Sequence, residues 1–164
     1  EPGERFAVGD LVVGTFATSH DCACPVGYTV EDGRRKMALC TDLGVVTRGV
    51  LEGIRGAGLL VGEFNYDPDM LRAGPYPARL KERILSRQGH LSNETGGKLA
   101  AWAVQQGTGR VVLAHLSKEN NAPSMAMRAA EQAMAAVQAR VGDDVKMTVA
   151  PRSEGSGWME VPEC

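Results

Sequence analysis

The chain holds only three histidines, His20, His90 and His115, and each stands among small polar neighbours. The contexts are Thr18-Ser19-His20-Asp21, Gly89-His90-Leu91-Ser92 and Leu113-Ala114-His115-Leu116-Ser117. Asp42 has a similar setting in Cys40-Thr41-Asp42-Leu43-Gly44. Imidazole and carboxylate are the preferred ligands of a catalytic zinc or similar ion. One histidine alone is more often a satisfied structural residue. Three that each end or follow an element, beside an aspartate in the same position, point to a metal or acid–base site.

A second feature leads into His90. Arg79, Arg83 and Arg87 are spaced four apart, so on a helix they share one face. Lys81 lies nearby, and Glu82 is the only acid between 77 and 88. Such a face is ordinarily a solvated one, but beside a hydrolytic site it suits a nucleic-acid backbone. There is no base-reading motif, so recognition would run through backbone and shape. Cys22 and Cys24 read as small thiols more than as ligands of a soft ion.

These residues need elements to hold them. LVVGTFA (11–17) reads as a strand. Residues 27–30 and 37–40 read as two strands joined by the Asp32-Gly33 turn, a hairpin signal. Residues 46–55 read as a short helix and GLLVGEF (58–64) as a buried strand. Residues 77–87 and 94–106 read as helices, the first opened by Pro77 and the second stopped by Gly107. RVVLAHL (110–116) is a buried strand. Asn121 is expected to cap a long helix reaching about residue 141, with Met127, Ala130, Met134, Val137 and Val141 facing the core. Residues 145–149 read as the last strand. Hairpins followed by alternating strands and helices make a layered α/β arrangement, in which ligands gather beyond the carboxyl ends of strands. His20, Asp42 and His115 fall at such ends.

The chain has 164 residues, suited to one domain, and its 43% apolar content suffices for a core. Aromatics are only 5%, so packing rests on Val, Leu, Ala and Met. The net charge of −2 does not announce a nucleic-acid binder and does not exclude a local basic face. No run of about 18 apolar residues exists, so no membrane span is expected. Four cysteines without framework spacing fit a reducing, cytoplasmic setting.

Taken together, SHDCACPVGY (19–28), TDLG (41–44), EFNYDPDMLRAGPYPARLKERI (63–84), GHLSN (89–93) and AHLSKENN (114–121) resemble the YycJ/WalJ group of metallo-β-lactamase-fold hydrolases. The likeness runs from about residue 5 to 152. Similar positions also occur in the tRNA 3′-processing nucleases of that fold. The resemblance implies half of an αββα sandwich, a mixed sheet with helices on one face. Residues 1–164 would be the C-terminal portion of one such domain, and 152–164 a loose tail. It implies that His20, Asp42 and His115 are metal ligands, with Asp42 bridging two divalent ions, zinc or manganese. It makes His90 the group that meets the scissile phosphate or leaving oxygen. Asn65 and Asn121 would contact or shape the substrate site, with Asn120 and Asp67 nearby. It implies a nuclease acting on DNA.

The group's His-x-His-x-Asp-His signature, which supplies four ligands, does not occur in these 164 residues. The expectation is therefore a metal held weakly or not at all by this chain alone. The remaining ligands would come from a missing N-terminal half, or a second copy of the chain would cover the sheet. Two other readings stay open: a hydrolase of small esters, thioesters or lactams, since the same fold hosts those reactions, and a non-catalytic assembly module. Activity on DNA against activity on small esters separates the first two.

Overall fold

A computed structural model describes residues 1–163. Seven strands pair in chain order into one mixed sheet: β1 (Arg5–Val8), β2 (Leu11–Ala17), β3 (Val26–Glu31), β4 (Lys36–Cys40), β5 (Leu59–Glu63), β6 (Arg110–Ala114) and β7 (Lys146–Val149). The first four form an antiparallel meander. From β4 onward the neighbours are parallel, and parallel pairs require crossovers. These carry α1 (Arg48–Ile54), α2 (Pro68–Ala73), α3 (Ala78–Leu85), α4 (Asn93–Gln105) and α5 (Pro123–Ala136). The α/β expectation, with a mixed sheet and helices on one face, is borne out.

Register shows which face is covered. Ala38 and Cys40 of β4 lie level with Leu60 and Gly62 of β5. Phe16, Ala38, Cys40 and Leu60 pack with Val50 and Ile54 of α1 and Leu99 of α4. Val111 and Leu113 of β6 pack with Ala126, Ala130 and Met134 of α5. All of these belong to one face. On the other face Phe6 lies level with Val13, Val13 with Val30, and Val30 with Met37. Five side chains there are open to solvent: Phe6 at 48%, Val8 at 54%, Leu11 and Tyr28 at 41%, and Leu39 at 36%. No helix lies over them among the described residues, and soluble monomers rarely expose a contiguous apolar patch of this kind.

Several local expectations change. Helix α5 begins at Pro123, its N-cap is Ala122, and it ends at Ala136. Asn121 does not cap it, because its side chain is spent in a buried amide network. The inward stripe is Ala126, Ala130 and Met134, while Met127 is only partly buried and Val141 lies beyond the helix, 43% exposed. Strand β1 and helix α2 were not expected; α2 is six residues long and depends on Asp67, whose carboxylate accepts from the backbone of Asp69 and Met70. The tail is not wholly loose: Arg35 pairs with Glu163, and Pro162 lies where a Cβ on Gly58 would stand. Among the described residues no helix is long and apolar enough to cross a membrane.

Candidate metal centre

Strands β2, β4, β5 and β6 all point their carboxyl ends to one edge of the sheet, since β2 and β4 are both antiparallel to β3 and the others are parallel to β4. Beyond those ends lie His20, Asp42 and His115, and Glu63 is the last residue of β5. His90 comes from the loop between α3 and α4. That loop is stitched to the end of β5 by Asn65 N donating to Leu91 O (3.1 Å), and to α3 by His90 N donating to Ile84 O (3.0 Å).

The three histidines surround Asp42. Its Oδ1 is 3.6 Å from His20 Nε2, 3.8 Å from His115 Nε2 and 3.8 Å from His90 Nδ1. The His20 and His90 rings are 4.9 Å apart between centroids, and those of His90 and His115 are 5.1 Å apart. Asp42 is half exposed, so the cluster opens outward. Asp42 and His115 adopt left-handed backbone, with φ of 58° and 59°. Non-glycine residues there cost energy, and such strain collects at functional sites.

Behind the histidines sits Glu63, fully buried. One oxygen, Oε1, accepts from His90 Nδ1 at 2.8 Å and from His115 Nδ1 at 2.7 Å. The other, Oε2, accepts from the backbone N–H of Leu43 and Leu91. Burial pushes this carboxyl upward. The hydrogen bonds from His115 and His90, with the charge of His90 and the Leu43 N–H, outweigh it, and Glu63 titrates below the usual range. In return, the bond to Glu63 raises His115 above an ordinary imidazole; burial opposes this, and the charges of Glu63 and Asp42 add to it. Glu63 was not singled out from the sequence. The signal was present: one acid at the end of an otherwise apolar strand, GLLVGEF.

Other expected residues take different places. His20 Nδ1 is 3.0 Å from Gly89 O, which fixes its ring. Arg83 holds Asp21 through Nε and through Nη2 at 2.9 Å, tying α3 to the His20 loop. Asp21 is thereby lowered to about 2, chiefly by its hydrogen bond with Arg83. Arg83 is therefore engaged within the protein, while Arg79 and Arg87 are exposed. Asn65 Nδ2 donates to His115 O (2.9 Å), bracing the left-handed turn. Asn121 Nδ2 donates to Phe64 O, Asn65 O and Asn93 Oδ1, and Asn93 Nδ2 returns a bond to Asn121 Oδ1. Both asparagines are buried and brace the site's backbone.

The donor set fits a divalent ion. Imidazole Nε2 atoms of His20 and His115 and a carboxylate oxygen of Asp42 converge, and Asp42, Glu63, His90 and His115 offer ligand-type atoms within 4.8 Å of one another. Glu63 itself faces the Nδ1 side of His115. A carboxylate there fixes the tautomer that leaves Nε2 free for metal, so Glu63 is an orienting partner more than a ligand. Cys22 and Cys24 are free and exposed, outside this cluster.

No protein-family model matches the chain. Exodeoxyribonuclease YycJ of Bacillus anthracis is 39% identical over 132 residues, covering 80% of this chain and 50% of the relative. The metallo-β-lactamase-fold protein YhfI of Bacillus subtilis superposes with a TM-score of 0.68 at 19% identity, over 100% of this chain and 54% of that one. Zn(2+)-bound PqqB of Methylobacterium extorquens gives a TM-score of 0.59 at 26% identity, over 92% of this chain and 48% of that one. The fold is thus of the metallo-β-lactamase type, and the chain spans about half the length of the curated relatives it matches.

Proposed function

We propose a function for what is, by fold and sequence, a YycJ/WalJ-like chain of the metallo-β-lactamase type: it supplies the C-terminal half of a metal-dependent nuclease that hydrolyses DNA. The observation that carries this is the convergence of His20, Asp42 and His115, with Glu63 behind them. In this reading His20 and Asp42 serve one divalent ion, and Asp42 and His115 serve a second. Zinc or manganese is the ion; the zinc in PqqB supports the former. When bound, such a pair lowers the pKa of a water and clamps both oxygens of a displacement at phosphorus.

The chain's own residues do the rest. Asp42 suits a bridge because it has two carboxylate oxygens. His90, held by Glu63, protonates the leaving oxygen. Arg79 and Arg87 hold the phosphate backbone, while Arg83 keeps α3 in place through Asp21. Asn65 and Asn121 shape the pocket from behind. The names of the curated relatives, exodeoxyribonucleases, support DNA as substrate; a DNA substrate and the free thiols of Cys22, Cys24 and Cys40 suit a cytoplasmic setting.

Three ligands do not complete two sites, since a catalytic zinc takes about three protein ligands and a water. The remaining ligands come from a second α/β half that covers the open face of the sheet; the exposed Phe6, Val8, Leu11, Tyr28 and Leu39 call for a cover, and relatives about twice as long as this chain support that occupant over a second copy. The test uses the full-length protein loaded with zinc or manganese and end-labelled DNA. We expect metal-dependent shortening of the DNA, and Asp42→Ala to lose both metals and nearly all activity. A protein that leaves DNA intact but hydrolyses small esters or thioesters overturns the nuclease reading.

A further inference from the structure

A cavity of about 720 Å³ opens directly beside His115. It lies past the carboxyl ends of β6 and β7, where Ala150 N donates to Leu113 O at 2.9 Å and keeps the two strand ends together. Leu116, Val149 and Pro151 give it apolar walls, and Lys118 and Arg152 give it two cations. Among the described residues no carboxylate lines it, although the whole chain is net negative. Lys118 makes no hydrogen bond or ion pair among the described residues. Arg152 spends one nitrogen, Nη2, on the carbonyls of Ser117 (3.1 Å) and Leu116 (3.4 Å), which steers its guanidinium toward the loop that carries His115. Its other N–H groups remain for an anion.

This combination selects a chemical class. The volume lies within the ~300–1,000 Å³ range of small-ligand sites. Apolar walls suit a base and sugar, and two cations without a neighbouring acid suit a phosphate. A ligand with both parts is a nucleotide. We propose that this cavity is the subsite for the nucleotide adjoining the scissile phosphate, with Lys118 and Arg152 holding the next phosphate along the strand. The proposal rests on the nuclease reading of the His20–Asp42–His115 centre. It adds an element to it: substrate is gripped on the β7 side of the metal centre as well as by Arg79 of α3 and Arg87 just past its end. The C-terminal segment around Arg152 thereby becomes part of substrate recognition.

The test compares full-length wild type with the Lys118→Ala/Arg152→Ala double variant and with Val149→Phe, which fills the cavity without touching charge. Three readouts are taken with the metal-loaded protein: hydrolysis of a labelled oligonucleotide, hydrolysis of bis(p-nitrophenyl) phosphate, and inhibition of the latter by thymidine 5′-monophosphate. Loss of two phosphate contacts should raise KM for the oligonucleotide by about tenfold or more. It should lower the oligonucleotide-to-small-diester ratio of kcat/KM to a similar degree. Inhibition by the monophosphate should weaken about tenfold in both variants. Equal losses on both substrates, or unchanged inhibition, overturn the subsite. If wild type cuts the small diester but not DNA, the nuclease reading falls by itself. The monophosphate competition then judges the cavity alone: weakened inhibition supports a nucleotide site, and unchanged inhibition rejects it.

Discussion

Glu63 is the residue on which the Nδ1 atoms of His90 and His115 both depend, and one oxygen serves them both. A protonated His115 paired with Glu63 contributes stability that is present below the ordinary imidazole pKa and lost as pH rises through the raised folded value. Metal binding runs the other way. The ion must displace the proton, so affinity falls as pH drops through that same value. Glu63→Gln removes the charge that raises His115, so its titration should move downward in the metal-free protein. Affinity at neutral pH should nevertheless fall by about 10–100-fold, because the ring loses its orienting carboxylate. Histidine NMR titrations and calorimetric zinc titrations of the full-length protein check the two effects separately. His90→Ala should behave differently: metal content is kept, while kcat falls by about 10²–10⁴-fold. Metal analysis with steady-state kinetics distinguishes the two variants.

At the scale of elements, the centre depends on close backbone approach between two loops. A Cβ at Gly44, in the Asp42 loop, would stand 2.5 Å from the backbone of Ser86 and Arg87. A Cβ at Gly89, in the His90 loop, would fall on the carbonyls of Arg83 and Ile84. Neither obstacle is a flexible side chain. Gly44→Ala and Gly89→Ala should therefore each cost about 1–3 kcal/mol in urea unfolding and displace Asp42 or His90 from the cluster. Gly49→Ala, whose nearest contact is a Thr47 side-chain oxygen at 3.7 Å, is the control and should change little.

The same loops show what was readable in advance. His20, Asp42 and His115 could be placed together because they follow strands with clear apolar runs, and ligands in layered α/β folds gather beyond the carboxyl ends of strands. Glu63 was hidden by its own surroundings: inside GLLVGEF it reads as one more strand position, and only the folded register sets it against two imidazoles. Arg83 reads as one of three equivalent arginines until Asp21, 62 residues away, claims it. Asn121 reads as a cap because it precedes Pro123, yet its capping atom, Oδ1, accepts from Asn93 Nδ2 and from the adjoining Ala122 N instead. Strand β1 is four residues long with every position exposed, so it lacks the burial pattern that marks a strand.

For the whole molecule, the sheet has one face under helices and one face that carries Phe6, Val8, Leu11, Tyr28 and Leu39 into solvent. Each square ångström of apolar surface withdrawn from water is favourable by about 25 cal/mol. The 164-residue chain alone should thus associate or bind a hydrophobic dye, whereas the full-length protein should do neither. Light scattering and dye fluorescence on both forms measure this; a monomeric, dye-silent 164-residue chain contradicts the half-sandwich account.

Pairing strands in chain order also imposes a timetable. Strands β1 to β4 close through short turns, such as the one in which Asp32 Oδ1 accepts from Arg34 and Arg35. Pairing β5 with β6 must wait for everything between 64 and 109 to be laid down, and long loops close slowly. Asp42 and His115 stand on opposite sides of that late event. The pocket for the ion is accordingly born near the end of folding, and zinc present during refolding of the full-length protein should leave the early kinetic phases untouched and slow only unfolding.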